Sequence, residues 1–405
     1  MVRVIILGGG FGGVFTAKNL LNKKNIEVVL ISKTNYFLFT PLLHEVACGS
    51  INRHTICEPI RDVLKGDNFK FYRAQVDKVD ATNKTVYFGK NKLDYDFLVI
   101  AIGSESFTFN IPGVKENALK LKSIRDSIEI RGSLIKSLES ANLSKNKRNI
   151  EKYLNFVVIG AGATGVELAG EISDIIKDNL QNRFGHLKKY KPKVHLIQAS
   201  SDILPIMSKK SIKNARKILK KKDVKVYTNT FVSEVLVDEV KTKTGLSIKS
   251  STIIWSGGVK PRAIKTVPKL QDEKGFFRVN KNLQVKNFPE IFALGDVSHI
   301  ESEPVPMLAQ VAMQQSIIVS KNIINLVEGN NLDEFKFKNK GILVSIGEFK
   351  VIGDIFNGKL SVKGSFWWFV KRTIYIMNMI GLRNKIRVGI EWFINLIFSR
   401  DTSEI

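Results

Sequence analysis

The chain has 405 residues, 44% hydrophobic and 25% charged, the balance of a globular protein with core enough for two or three domains. Its net charge of +25 calls for a polyanionic partner; the lysines are spread along the chain with no Arg–aromatic cluster or nucleic-acid motif, which excludes nucleic acid and favours an anionic membrane surface. Its two cysteines, Cys48 and Cys57, suit neither a zinc pair nor a C-x-x-C redox pair, so a disulfide framework is excluded and a reducing compartment is expected. No metal-ligand set, signal peptide or apolar run of about 18 residues is read.

Val2 to Leu7 predicts a buried parallel strand. Gly8-Gly9-Gly10-Phe11-Gly12-Gly13 follows at once and contains G-x-G-x-x-G, and a helix is expected from about Val14 to Leu21. Gly8 permits the tight turn, Gly10 lets backbone approach a pyrophosphate, and Gly13 lets helix and strand pack closely. The helix N-terminus then faces the phosphates. A second strand, Ile26 to Ile31, commonly ends in an acid that holds the ribose hydroxyls; here Ser32 and Lys33 stand there. The aromatic stretch Asn35 to Glu45, which includes Thr40, predicts a loop turning into a helix, with a structural role for His44. Val76 is placed on a crossover strand that contacts adenine through its backbone. Phe97 to Ser104 predicts a buried strand ending in a close-approach glycine, Gly103.

Ile124, Ile128, Leu134, Ile135 and Leu138 mark an amphipathic helix, and Asn142 to Lys152 a polar surface loop. The strand Phe156 to Ile159 then leads into Gly160-Ala161-Gly162-Ala163-Thr164-Gly165, a second complete fingerprint running into a helix. Two fingerprints in one chain form an internal repeat and call for two nucleotides. Glu167 and Glu171 on that helix are either acids near a helix N-terminus or, for Glu167, a group facing the nicotinamide. Gln198, ending the strand Val194 to Ala199, stands where a glutamate would select NADH. Lys209 to Lys221 reads as a basic, solvated helix. Thr252 to Pro261, with Gly257 and Gly258, crosses back toward the first unit.

The run Ile291 to Leu294 ends in Gly295-Asp296, an aspartate suited to accept hydrogen bonds from the ribityl chain of FAD. Pro306 to Gln315 predicts a helix start, with Gln310 and Gln314 on one face able to hold a neutral acceptor such as a quinone carbonyl. Gly341 to Ile355 predicts a short hairpin, and two apolar helices follow. One carries the row Phe366, Val370, Ile374 and Met377, with Lys371-Arg372 elsewhere on the surface. The other carries Ile386, Ile390, Phe393 and Ile397, with a polar row of Arg387, Glu391 and Asn395. Residues 359–405 hold eight Lys or Arg and three Asp or Glu, a net of +5. Tryptophan with basic residues predicts helices lying in one leaflet; a homodimer interface is the alternative.

The two fingerprints, Gly103, Gly257-Gly258 and Gly295-Asp296 together resemble the two-dinucleotide-binding flavoprotein superfamily over roughly residues 1 to 330. Within it, Asn35 to Leu43, Ala309 to Gln315, and the tail Ile380 to Arg387 with Trp392 and Arg400 resemble the type II NADH:quinone oxidoreductases; Ser32 and Gln198 depart from that family's commonest bacterial pattern. The resemblance implies an α/β fold of two Rossmann-like dinucleotide-binding domains plus a C-terminal membrane-associating helical segment. The expected divisions are 1–118 with 257–333 for FAD, 119–256 for NADH, and 334–405 for the membrane. It implies noncovalent FAD, NADH as substrate, hydride transfer to the flavin and two electrons passed to a membrane quinone beside Gln310 and Gln314, without proton pumping. Glu167 is then expected near the nicotinamide as a proton relay. Gly12, Phe11, Lys33, Thr40, Ala309 and Gln310 are expected to contact FAD, and Thr164 and Gly258 belong to the cofactor-binding set. The implied location is peripheral, on the cytoplasmic face of the inner membrane. The rival readings are another flavoprotein reductase, such as a sulfide:quinone reductase, and a flavin-bearing redox-sensing interaction protein.

Overall fold

The computed structural model describes residues 1–398 and 400; Ser399 and 401–405, the end of the expected membrane segment, lie outside the described residues. The chain divides into two compact units. The first comprises residues 1–38, 57–105 and 259–338, the second 39–56, 106–258 and the described chain from 339 onward. These compact units part at 105, 258 and 338, near the expected functional divisions at 118, 256 and 333. The segments 39–56 and 339 onward join the second unit: Ser50 Oγ donates to Glu171, and Lys371 and Arg400 pair with Glu167 and Glu171.

In the first unit, eight strands among the described residues form one sheet in the order 298–300, 277–279, 284–285, 288–293, 97–100, 2–7, 26–32 and 69–73. The strand Val2–Leu7 lies parallel between Ile26–Ser32 and Phe97–Ile100, with Val4 beside both Val28 and Phe97. A central parallel strand is covered on both faces, so it reads as one apolar run; Val4, Ile5, Ile6 and Leu7 are wholly buried. The helix Phe11–Leu20 packs on the helix Ala309–Glu328, with Asn19 Nδ2 donating to Ser320 Oγ at 3.1 Å. The expected strand at Val76 is not formed: 74–77 are a connection between the strands Phe69–Arg73 and Lys78–Asp80.

In the second unit, the strands run in the order 119–120, 252–255, 155–159, 193–197 and 224–227, all parallel. The helix Ala163–Asn182 follows the strand Asn155–Ile159 directly. The helix Ile124–Leu143 begins at a capping box of Ser123 and Asp126, and it buries Ile130, Leu134, Ile135 and Leu138. The expected polar loop contains a helix, Lys147–Tyr153, started by the Asn146 side chain accepting from the Arg148 N–H. The expected hairpin is a three-stranded antiparallel sheet, Ile342–Ser345, Val351–Ile355 and Leu360–Gly364. It leads into the helices Ser365–Asn378 and Leu382–Ile397. Among the described residues, no helix is long and apolar enough to cross a membrane.

Candidate active site

The first fingerprint folds into a cradle. A Cβ on Gly13 would fall 1.9 Å from the Gly8 carbonyl oxygen, and one on Gly12 would fall 2.6 Å from Leu294 Cδ1, so helix and strand meet only because these residues are glycine. A Cβ on Gly10 would meet no described atom within 4 Å. Gly10 is the N-cap of the helix Phe11–Leu20, with no side-chain cap or first-turn acid among the described residues. The helix therefore offers backbone N–H groups and its positive dipole end to open space, as a pyrophosphate requires. The second fingerprint repeats the arrangement. A Cβ on Gly165 would fall 1.8 Å from the Gly160 oxygen, and one on Gly162 would meet nothing within 4 Å. The residues present fit two dinucleotides.

Around the first cradle, Ser32 is buried and its Oγ accepts from the Thr34 N–H at 3.4 Å, while Lys33 is exposed. Gly103 has φ +70°, and its carbonyl accepts from the Arg262 N–H at 3.0 Å. Ser104 Oγ donates to Asp296 Oδ2 at 2.5 Å, fixing that carboxylate in the turn Gly295–Val297. The Gly295 N–H donates to Gln315 Oε1 at 2.6 Å. Gln315 is wholly buried, with no partner for its Nε2 among the described residues, so the helix Ala309–Glu328 orients the aspartate turn through a residue to which no local pattern assigns a role. Ala309 and Gln310 lie in the first turn of that helix, both half-buried. Gln314 is not an open amide. Its Nε2 donates to the Lys338 carbonyl and its Oε1 accepts from the Lys338 N–H, both at 3.0 Å, because the returning segment needs partners for its backbone. Val76 is half-buried in its connection. Thr40 lies in the second unit, exposed in the turn Thr40–Leu42.

In the second unit, Gln198 Oε1 accepts from the Ala161 N–H, inside the fingerprint, at 2.7 Å, and its Nε2 donates to Ser200 Oγ at 2.5 Å. Thr164 lies in the first turn of the helix, and Gly258 packs against the Phe109 ring with its carbonyl accepting from the Phe107 N–H.

Glu167 is buried and bound. Lys371 Nζ donates to its Oε1, as do Ser345 N–H and Oγ, each at 3.2 Å, and its Oε2 lies 3.7 Å from His44 Nδ1. Burial pushes the carboxyl upward, but the charge of Lys371 and the hydrogen bonds from Lys371 and Ser345 overcome it and hold Glu167 below its ordinary value. One turn on, Glu171 accepts from Ser50 Oγ at 3.2 Å and pairs with Arg400 at 2.7 Å. Burial opposes that charge too, and Arg400 overrides it to hold the carboxyl down. Lys371 and Arg372 are not on the surface. Lys371 is 3% exposed, and the Arg372 guanidinium lies between the rings of Trp368 and Trp392, 3.5 and 4.2 Å from their centroids. Trp392 Nε1 donates to Glu45 Oε2 at 2.7 Å. A usable signal was present in the sequence: His44 and Glu45 interrupt one apolar run, Lys371 and Arg372 another, and the embedded charges are of opposite sign.

Both cysteines lack disulfides. Burial pushes the Cys57 thiol up to about 12 and the wholly buried Cys48 well above its ordinary value, so neither is poised as a thiolate.

The paired cradles belong to a class with sequence relatives. Residues 2–316 match the pyridine nucleotide-disulphide oxidoreductase family and residues 339–401 the NDH2 C-terminal domain. The chain is 34% identical over 412 residues to a probable NADH dehydrogenase of Dictyostelium discoideum, covering 99% of this chain and 91% of that protein. It is 30% identical over 415 residues to the type II NADH:quinone oxidoreductase Ndh of Mycobacterium tuberculosis, covering 98% and 89%. Its fold matches NDH2 from Plasmodium falciparum in complex with NADH at a TM-score of 0.91, with 22% identity over 99% of each chain. A sulfide:quinone oxidoreductase from Aquifex aeolicus matches at 0.77 with 20% identity. The chain is a flavoprotein of the pyridine nucleotide-disulphide oxidoreductase class. Within that class it belongs to the type II NADH:quinone oxidoreductases.

Proposed function

We propose that FAD binds against the Gly8–Gly13 cradle and NADH against the Gly160–Gly165 cradle, and that a membrane quinone takes the electrons at the head of the helix Ala309–Glu328. The observation that carries this reading is the repeated cradle, in which the middle glycine of each fingerprint faces open space while its neighbours are packed solid. Bound FAD supplies the two-electron carrier between nicotinamide and quinone. Asp296, held by Ser104, accepts from the ribityl hydroxyls. Gln198, held at Ala161, faces the adenosine ribose of NADH. Gln310 holds a quinone carbonyl, and Gln314, tied to Lys338, fixes the helix face on which Gln310 sits. Glu167 is the proton-relaying carboxylate: Lys371 holds Oε1, and Oε2, beside His44 Nδ1, takes up and passes the proton.

The C-terminal helices are the membrane-docking element. Phe366 and Met377 are 71% and 73% exposed, Phe393 and Ile397 63% and 62%. Two members of the polar row of the second helix, Glu391 and Asn395, are turned inward. Glu391 accepts from the Asn52 N–H at 2.7 Å and from Thr55 Oγ1 at 2.8 Å, and Asn395 donates to the Ser50 carbonyl. Amphipathic helices with polar faces docked and apolar faces outward suit the interface of an anionic leaflet, here the cytoplasmic face of the inner membrane.

The test is anaerobic reduction of the purified protein by NADH followed by reoxidation with a quinone. Flavin bleaching by NADH and rapid recovery with quinone are expected, and Gln310→Leu slows recovery while leaving bleaching intact. Recovery with oxygen but not with quinone overturns the reading of the acceptor.

A further inference from the structure

The residues after Gln198 hold no arginine before Asp202, so sequence order offers nothing to bind a 2′-phosphate. The fold supplies one from elsewhere. Arg216, on the basic helix Lys209–Lys221, sets Nε and Nη2 against Asp202 Oδ1 at 3.0 and 2.7 Å. A hydrogen-bonded line joins this pair to the second cradle: the Ala161 N–H donates to Gln198 Oε1, Gln198 Nε2 to Ser200 Oγ, and Ser200 Oγ to the Asp202 carbonyl at 3.0 Å. Beside it lies a groove of about 440 Å³ lined by Asp202, Lys209, Lys213, Arg216, Lys217 and Lys220 with Ile212. Five of the charged side chains lining it are basic and one is acidic.

We propose that Arg216 is the 2′-phosphate ligand of this enzyme, exchanging Asp202 for the phosphate of NADPH, so that the chain accepts NADPH as well as NADH. The inference rests on the reading of the Gly160–Gly165 cradle as the nicotinamide dinucleotide site. Its physical basis is the imbalance between the two anions. Asp202 and Arg216 are 45% and 39% exposed, and an ion pair so open to water is weak. A dianionic phosphate presents three oxygens to the same guanidinium fork and gains from the four lysines as well. Gln198 is uncharged and does not repel it, where a carboxylate would. With NADH, Arg216 stays on Asp202 and the Asp202–Gln198 line is undisturbed.

The experiment uses the oxidised, flavin-loaded protein and two redox-inert probes, 5′-AMP and adenosine 2′,5′-bisphosphate, with affinities read by calorimetry. The intact protein is expected to bind the bisphosphate more tightly than AMP, with an advantage that shrinks as salt rises. Arg216→Ala is expected to lose about tenfold or more in bisphosphate affinity with AMP unchanged. Arg216→Lys retains part of the advantage, and Asp202→Asn enlarges it by removing the competing carboxylate. Equal bisphosphate affinity in the intact protein and Arg216→Ala overturns the proposal, as does rejection of the bisphosphate by the intact protein while AMP binds. If neither probe binds, the cradle assignment fails and this proposal fails with it.

Discussion

Lys371 and Glu167, 204 residues apart in the chain, meet as a buried ion pair that ties a C-terminal helix to the second fingerprint helix. Ser345 completes it by donating to Glu167 and accepting from Lys371 Nζ at 2.7 Å. Four residues along the same helix, Glu171 does the same for Arg400. The outward-facing helices are thus held from beneath by charge.

Removing one member of the pair leaves the other buried and uncompensated. Lys371→Met is expected to cost about 3–5 kcal/mol by chemical denaturation. The double variant Lys371→Met with Glu167→Gln should recover much of this, because the stranded carboxylate is gone. A single variant as stable as the parent would show that the pair is not buried in solution.

The two glycine positions of the first fingerprint should fail differently. Gly13→Ala places a Cβ into the Gly8 carbonyl and should give little folded protein, whereas a Cβ at Gly10 meets no described atom within 4 Å, so Gly10→Val should fold. The Gly10→Val protein is expected to be colourless, because its side chain takes the room of the pyrophosphate. Full flavin absorbance in that variant would remove the cradle assignment.

Acid should destabilise the second unit through His195. Burial, aided by Lys225 and Lys193, lowers its pKa from 6.5 to about 4. The ring sits neutral between Tyr227 Oη at 3.2 Å and Asn155 Oδ1 at 3.4 Å. The unfolded chain takes up a proton as pH falls through 6.5 and the native state does not until about 4, so this stability is complete above 6.5 and is lost below it. At about 1.4 kcal/mol per pH unit, the parent should lose roughly 2–3 kcal/mol more than His195→Gln between about pH 7.5 and 4.5 in urea titrations. Identical losses would place His195 in water.

The exposed apolar rows should govern membrane affinity without governing the fold. Ile390→Asp with Phe393→Asp alters two side chains that are 53% and 63% exposed. Stability should change little, while sedimentation with anionic vesicles should fall sharply. Undiminished sedimentation would move the docking surface elsewhere, and a fall in oligomer size instead would assign the rows to a second copy of the chain.

Much of the fold was legible because its causes are local. Apolar runs such as Val4–Leu7 announce buried parallel strands, and the glycine spacing at 8–13 and 160–165 reflects clashes within a few residues of each fingerprint. Gln198 bonds the Ala161 N–H inside the second fingerprint for the same reason, since strand and turn adjoin. The second half of the site depends on distance. The partners of Glu167, Glu171 and Asp202 lie 204, 229 and 14 residues away, and no local pattern records which opposite charge a buried group will meet. Likewise Gln314 reads as an open amide until Lys338 returns to occupy it. The C-terminal helices are amphipathic in sequence, but amphipathicity states only that two faces differ. Turning the polar face inward was decided by the tertiary structure, where Glu391 satisfies the Asn52 N–H and Thr55 hydroxyl, Arg372 is desolvated between two tryptophans, and the apolar rows are left to the surface.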